Sequence, residues 1–318
     1  MSAQPPTFYS AIRRNRRDSW LLVAAVGGVL ALLGGAIGAA TGYGWWGVGI
    51  ALIVAALMSV GSYFGGDQLV LLSSGAKRVD AAQPAGEHRQ LLNVVNEMRL
   101  AAGIPMPEVY VIDDTAPNAF ATGRDPKHAS IAVTRGLLEK MDREELQGVI
   151  AHEMSHVDNY DIRFALLVGV LVGAIALLAD WFLRFTFWGG GRRSSRDDHS
   201  GGGGGAAILF LLAIVLAILA PLISRLVQLA VSRRRESLAD VSGVELTRNP
   251  HGLARALRKI SDDPEVLEVA NRATQHLYIV NPIKSFEERS KSMWDTHPPI
   301  GERIRVLENL AGQVAPAR

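Results

Sequence analysis

His152-Glu153-Met154-Ser155-His156 is the stretch from which the rest of the chain is read. Histidines four apart on a helix share a face, so both imidazoles can reach one metal ion, and this is a zinc-site spacing. Glu153 points about 100° around the helix from His152, outside the ligand set but placed to take a proton from a water that the metal activates. The plain alternative is a pair of surface histidines on a polar helix. The residues before the motif argue against it. Asp142-Arg143-Glu144-Glu145 has the form of a capping box, with Asp142 as N-cap and Glu145 reaching back, and Leu146, Val149, Ile150 and Met154 follow at helical intervals. The motif is therefore expected inside a helix whose apolar side packs inward while His152 and His156 converge on a site.

Hydrophobic residues make up 48% of the 318, which is high for a soluble enzyme and points to membrane spans. There is no cysteine, which excludes disulfides and thiolate metal sites and leaves the compartment open on redox grounds. The 33 basic and 31 acidic residues nearly balance, giving no reason to expect nucleic acid as a partner. The basic residues instead gather at the ends of apolar runs, as they do beside a lipid bilayer.

Residues 1–18 form a polar tail with Arg13, Arg14, Arg16 and Arg17, followed by an apolar run from Trp20 to Ala40. Gly38-Ala39-Ala40 resembles a signal-peptidase site, but an apolar run of about 20 residues exceeds the usual h-region of roughly 7–15, so an uncleaved anchor is expected. Trp45 and Trp46 then mark an interface before a second run, Val48–Phe64. Residues 19–65 thus read as a transmembrane hairpin whose Arg-rich start stays in the cytoplasm. Residues 66–163 read as the first part of a catalytic domain, with a helix over Arg89–Ala101 and strands at Glu108–Ile112 and Ser130–Thr134. Between the strands, Asn118, Ala119, Phe120 and Ala121 lead to Gly123 as an extended small-residue segment. It is a candidate exposed edge for pairing with a peptide substrate, and an ordinary hairpin edge fits equally well.

Residues 164–231 read as a second hairpin, with runs Phe164–Trp188 and Ala206–Val231 around a low-complexity linker, 189–205, holding five consecutive glycines. Arg192, Arg193 and Arg196 count against an external position for that linker, and Asp197 and Asp198 offset them in part. Whether the pair spans the bilayer or dips into it, both its ends emerge on one side. The motif and residues 232–318, the second part of the domain, therefore share a compartment.

A catalytic zinc takes three protein ligands and leaves a fourth position for water. The metzincin extension requires Gly and His where this chain has Asn159 and Ile162, so that class is excluded. The remaining common solution is a glutamate on a later helix. Glu236 is the best placed, four residues before Asp240 on the same helix face, a like-charge pair that a metal would relieve. His128, Glu245, His251, His276 and His297 are the alternatives, none with a comparable local pattern.

The stretches NAFATG at 118–123, HEMSHVDNYD at 152–161, SRRRESLAD at 232–240 and THPPIGERI at 296–304, set around two pairs of apolar runs, resemble the HtpX family of integral-membrane zinc metalloproteases, which are related to the CAAX prenyl endopeptidases. The resemblance covers nearly the whole chain except the linker at 189–205. It implies a mainly α fold with a small β-sheet, built as four transmembrane helices plus a zincin-like, gluzincin-type metalloprotease domain. It further implies one Zn2+ per subunit held by His152, His156 and Glu236, with Glu153 as base. Asp240 and Asp161 would orient the ligand imidazoles. His297 becomes a candidate donor to the oxyanion and Arg303 a candidate partner of the acidic helix. The implied activity is endoproteolysis of membrane-protein or unfolded polypeptide substrates in quality control at a bacterial or archaeal cytoplasmic membrane, with the site facing the cytoplasm. A zinc-binding scaffold without turnover would have no use for Glu153. A metal transporter would need more ionisable residues within its spans than Asp180.

Overall fold

The computed structural model describes residues 17, 21, 24, 27–38, 45–84, 86–184, 203–268, 277–280 and 298–314. They fall into two units, one within Arg17–Ser62 and Leu167–Gln228, the other within Tyr63–Leu166 and Leu229–Arg318. The first unit is helical. Its α1, Gly27–Gly38, meets the start of α2, Trp46–Ser73, through small residues: a Cβ on Gly34 would lie 2.5 Å from Ala51 Cβ, and one on Gly47 would lie 2.5 Å from Gly34 O. Gly34 and Gly38 on one helix, with Gly47 and Ala51 on the other, form the small-xxx-small contact by which helices approach closely in lipid. Large apolar side chains such as Leu32, Ile50, Ile53 and Leu57 point outward. Among the described residues no single helix is long and apolar enough to cross a membrane; the segments Trp46–Met58 and Tyr63–Ser73 of α2 pass that test together across a bend. The apolar run expected to end at Phe64 therefore continues as helix through Gly65 and Gly66 to Ser73, because neither glycine interrupts the backbone hydrogen bonding.

The second unit carries a four-stranded sheet of order β1-β2-β4-β3: β1 Lys77–Arg78, β2 Glu108–Ile112, β3 Ala119–Gly123 and β4 Ala129–Thr134. Strands β2 and β4 run parallel, with Val109 opposite Ile131, and β3 and β4 run antiparallel, with Phe120 opposite Ala132. The alternation of strand side chains divides the core in two. Val109, Ala119, Ala121, Ile131 and Val133 face α3, Gly86–Ala102, and α5, Arg143–Asp158, whose Leu91, Val95, Leu146, Val149, Ile150 and Met154 fill that layer. Ile112, Phe120 and Ala132 face the other way, toward Leu71, Leu267 and Tyr278.

Helix α4, Arg135–Lys140, joins the sheet to α5; α6 covers Asp161–Arg184, α7 Gly203–Thr247, α8 Pro250–Asp262 and α9 Ile300–Val314. The capping box expected at Asp142 is present in both directions, Asp142 accepting from Glu145 N and Glu145 Oε2 accepting from Asp142 N. Two glycines set how closely α5 is enclosed. A Cβ on Gly148 would lie 2.6 Å from Leu253 N of α8, and one on Gly243 of α7 would lie 3.1 Å from His152 N. The linker expected over 189–205 is helix from Gly203, and α7 then runs unbroken for 45 residues past Pro221 and past the boundary expected at 231/232.

Candidate metal centre

His152 and Glu153 are wholly buried on α5, and His156, one turn later, has 14% of its side chain exposed. Glu236 reaches the same point from α7. His152 Nε2 and His156 Nε2 are 3.3 Å apart, His156 Nε2 and Glu236 Oε1 3.3 Å, and His152 Nε2 and Glu236 Oε2 3.5 Å. Two ligand atoms on a tetrahedral zinc, each about 2.0–2.1 Å from it, stand about 3.3–3.4 Å from one another. The three residues thus fit such an ion; they form a His/Glu group whose candidate ligand atoms all lie within 4.8 Å of one another. Glu153 supplies a second sign of fit. Its Oε1 is buried and accepts no hydrogen bond among the described residues, while the carboxylate also accepts from the backbone N–H of Ala121 on β3.

Each histidine keeps its Nε2 for this point because its Nδ1 is held elsewhere. His152 Nδ1 lies 3.0 Å from Asp240 Oδ1, and His156 Nδ1 lies 3.1 Å from Asp161 Oδ2. A ring nitrogen held by a carboxylate fixes the tautomer and makes the other nitrogen a better donor to a metal. Each aspartate in turn faces an arginine. Arg303 of α9 donates from Nε to Asp240 Oδ2 at 2.9 Å and from Nη2 to Asp240 Oδ1 at 2.7 Å, and its Nη1 lies 3.3 Å from Glu236 and donates to Ile279 O at 3.0 Å. Arg235 Nε lies 3.4 Å from Asp161 Oδ1, with its guanidinium carbon 3.3 Å from the centroid of Phe164.

The electrostatics follow from this pairing in a buried setting. Burial opposes protonation of His152 and His156, yet the hydrogen bonds to Asp240 and Glu236 on one, and to Asp161 and Glu236 on the other, outweigh it; both are raised, His156 well above the ordinary imidazole range. Burial raises the Glu153 carboxyl, with His152 and His156 opposing. Burial would raise Asp240 too, but Arg303 and His152 hold it below the usual carboxylate range. For Arg303 burial is outweighed by Asp240 and Glu236 and the guanidinium is held above its ordinary value, whereas burial lowers Arg235 to about 10 against the pull of Asp161.

His152, His156, Glu153, Glu236, Asp240, Asp161 and Arg303 therefore come together in one place. His297 lies outside the described residues. The exposed edge expected at Asn118, Ala119, Phe120 and Ala121 is not exposed: β3 is an edge strand by pairing, but every residue in it is buried. Residues 277–280 lie along its first half, with Ile279 N donating to Ala119 O at 2.9 Å and Asn118 Nδ2 donating to Val280 O at 3.0 Å. Phe120 belongs to the core, packed edge-on against Tyr278 with ring centroids 5.0 Å apart. Arg235 is the residue that sequence reasoning missed, since the run Arg233-Arg234-Arg235 reads as a membrane-edge cluster and nothing in its composition marks Arg235 as turning inward.

Two histidines of one helix meeting a glutamate from a later helix is the gluzincin arrangement, and a small sheet laid on the motif helix supports it. The chain belongs to peptidase family M48, which it matches over residues 85–311. It is 42% identical over 308 residues to the Protease HtpX homolog of Dictyoglomus thermophilum, covering 96% of each chain. It is 43% identical over 307 residues to the Protease HtpX homolog of Streptococcus thermophilus, covering 95% of this chain and 99% of that one. The crystal structure of S. mikatae Ste24p shares the fold, with a TM-score of 0.50 at 18% identity over 94% of this chain and 67% of that one.

Proposed function

We propose that this protein is a membrane-bound, zinc-dependent endopeptidase that cleaves membrane-protein or unfolded polypeptide substrates in quality control at the cytoplasmic membrane of a bacterium. The observation that carries this is the spacing of the ligand atoms of His152, His156 and Glu236, 3.3–3.5 Å apart on two helices, which suits one tetrahedral ion. Zinc, when bound there, supplies Lewis acidity toward water and toward the scissile carbonyl. The chain's own residues do the rest. Asp240 and Asp161 hold the imidazoles with Nε2 forward. Glu153 is free at Oε1 to take a proton from the attacking water and return it to the leaving nitrogen. His297 is the candidate donor to the oxyanion.

For topology the reading is four crossings, as hairpins 19–65 and 164–231, with the site in the cytoplasm and close to the bilayer. The exposed apolar side chains of α2 and the small-residue contact between α1 and α2 support a lipid surroundings for the first pair. The test is metal content together with degradation of a membrane-protein substrate, wild type beside Glu153→Gln. The variant is expected to keep zinc and lose proteolysis; substantial remaining turnover would remove Glu153 from its role. Topology reporters fused beside Asp142 and Ser261 are expected on the same face of the membrane.

A further inference from the structure

Two arginines of the catalytic unit sit where one apolar run ends, at Phe64, and another begins, at Phe164, and both are stacked on aromatic rings. The guanidinium carbon of Arg163, in the first turn of α6, lies 4.8 Å from the centroid of Tyr160 and 5.9 Å from that of Tyr63. That of Arg124, which directly follows β3, lies 5.6 Å from Phe64. Arg163 Nε donates to Arg124 O at 2.7 Å, so residues 39 apart in sequence are fixed side by side. Both arginines are half-buried.

Among the described residues neither guanidinium meets a carboxylate. Asp125, beside Arg124, is taken by the backbone N–H groups of Lys127 and His128 and by the His128 ring. Asp161, two residues before Arg163, is taken by His156 and Arg235. Two cations whose residues are joined by the bond from Arg163 Nε to Arg124 O, both partly withdrawn from water and one of them in the first turn of a helix, favour an anion, and the guanidinium fork suits a phosphate in particular. The surroundings say where that phosphate would come from. Tyr63 belongs to the end of the apolar run 48–64 and Arg163 immediately precedes the run from Phe164, and the structure holds the two in contact. Aromatic rings and cations at the ends of apolar runs mark the headgroup level of a bilayer. The Phe64 ring, 63% exposed, supplies an apolar surface beside the cations.

We propose that Arg124 and Arg163 bind the phosphodiester of a phospholipid headgroup, with Phe64 against the adjoining acyl region. This rests on the reading that the runs at 48–64 and 164–188 enter the bilayer. The site lies next to the catalytic machinery along the chain: Arg124 is three residues past Ala121, whose N–H meets Glu153. A bound lipid would thus tether the end of the strand whose Ala121 meets Glu153.

The chain purified in dodecyl maltoside, which contains no phosphate, is titrated with dioleoylphosphatidylglycerol, and bound lipid is counted by native mass spectrometry. Wild type is expected to retain one phospholipid per chain through detergent washing, and Arg124→Gln/Arg163→Gln to need at least tenfold more lipid for the same occupancy. Arg124→Lys/Arg163→Lys, which keeps the charges and loses the forks, is expected to fall between them, and carries the comparison if the Gln pair does not fold. Equal occupancy in all three overturns the proposal. So does a Gln pair that binds lipid normally but, in lipid-free detergent, loses kcat/KM only for peptides with a carboxylate near the cleaved bond, because the cations would then serve the substrate. Zinc content and peptidase activity are read on the same samples. If they are missing while lipid binding depends on the arginines, the metal-site reading fails and the lipid site stands; if alkaline carbonate releases the chain from membranes, the topology and the lipid site fall together.

Discussion

Asp240→Asn tests whether the imidazole of His152 is held in place from behind. In the native chain Asp240 Oδ1 faces both His152 Nδ1, at 3.0 Å, and Arg303 Nη2, at 2.7 Å, while Oδ2 accepts from Arg303 Nε at 2.9 Å. An asparagine offers one acceptor oxygen. If that oxygen stays with His152, the amide NH2 is pressed against the Arg303 donor; if it turns to Arg303, His152 loses its support. Loss of an orienting carboxylate lowers metal affinity about 10–100-fold, or about 1.4–2.7 kcal/mol. The fold is affected separately, because Arg303 is buried and, among the described residues, would keep Glu236, at 3.3 Å, as its remaining ion-pair partner. Breaking one side of a buried ion pair costs about 3–5 kcal/mol. Glu236 itself would then be drawn toward the arginine and away from the metal. The assay is a competition titration against a chromogenic zinc chelator in detergent, with thermal unfolding recorded in the presence and absence of zinc. Glu236→Gln is expected to lower zinc affinity more than Asp240→Asn, since it removes a charged ligand rather than the support of one. Zinc binding by Asp240→Asn within twofold of wild type would refute the orienting role. If Asp240→Asn strips the metal and Glu236→Gln does not, the ligand has been assigned one turn of α7 too early.

Three further outcomes follow from packing and from the ion. Phe120→Ala empties a fully buried site against Tyr278 and Ala132 and is expected to lower stability by about 3–5 kcal/mol, measured by denaturant unfolding in detergent; a change in KM at unchanged stability would return Phe120 to the substrate surface. Gly148→Ala places a methyl group 2.6 Å from the Leu253 backbone nitrogen and must part α5 from α8, which is expected to cost about 1–3 kcal/mol; a melting temperature equal to wild type would show that the helices yield freely. Chelation of the purified protein by 1,10-phenanthroline is expected to abolish peptidase activity and zinc to restore it, and activity that survives metal removal confirmed by atomic absorption would separate the site from the chemistry.

The parts legible in the sequence are those set by short-range rules. The N-terminus of α5 was readable because a capping box is completed within four residues, and the inward side of α5 because Leu146, Val149, Ile150 and Met154 keep the helical period. Glu236 was readable through its interval to Asp240, a like-charge pair that makes sense beside a cation, and the structure places the Arg303 guanidinium against both. What was not legible depends on distant chain. Residues 277–280 cover the first half of β3, with Asn118 and Val280 standing 162 residues apart, and no pattern within Asn118–Gly123 distinguishes an edge that is covered from one that is open. Arg235 could not be told from its neighbours because turning inward depends on Phe164 and Asp161, more than 70 residues away. Helix ends at Gly65-Gly66 and Gly203–Gly205 were misplaced for a different reason. Glycine weakens a helix by only about 1 kcal/mol per residue, which apolar residues nearby readily override.

The position of Arg303 bears on how the chain is made. The histidine motif is translated first, Glu236 and Asp240 more than eighty residues later, and Arg303 only 151 residues after His152. Until that arginine arrives, a nascent chain that has finished α7 holds two buried carboxylates one turn apart without the guanidinium that ties them to each other and to Ile279. Intermediates of synthesis that contain the whole motif helix therefore lack the cation that pairs with Asp240 and Glu236 in the finished fold. For a peptidase made next to other unfolded chains, this sequence order ties completion of the site to completion of the fold.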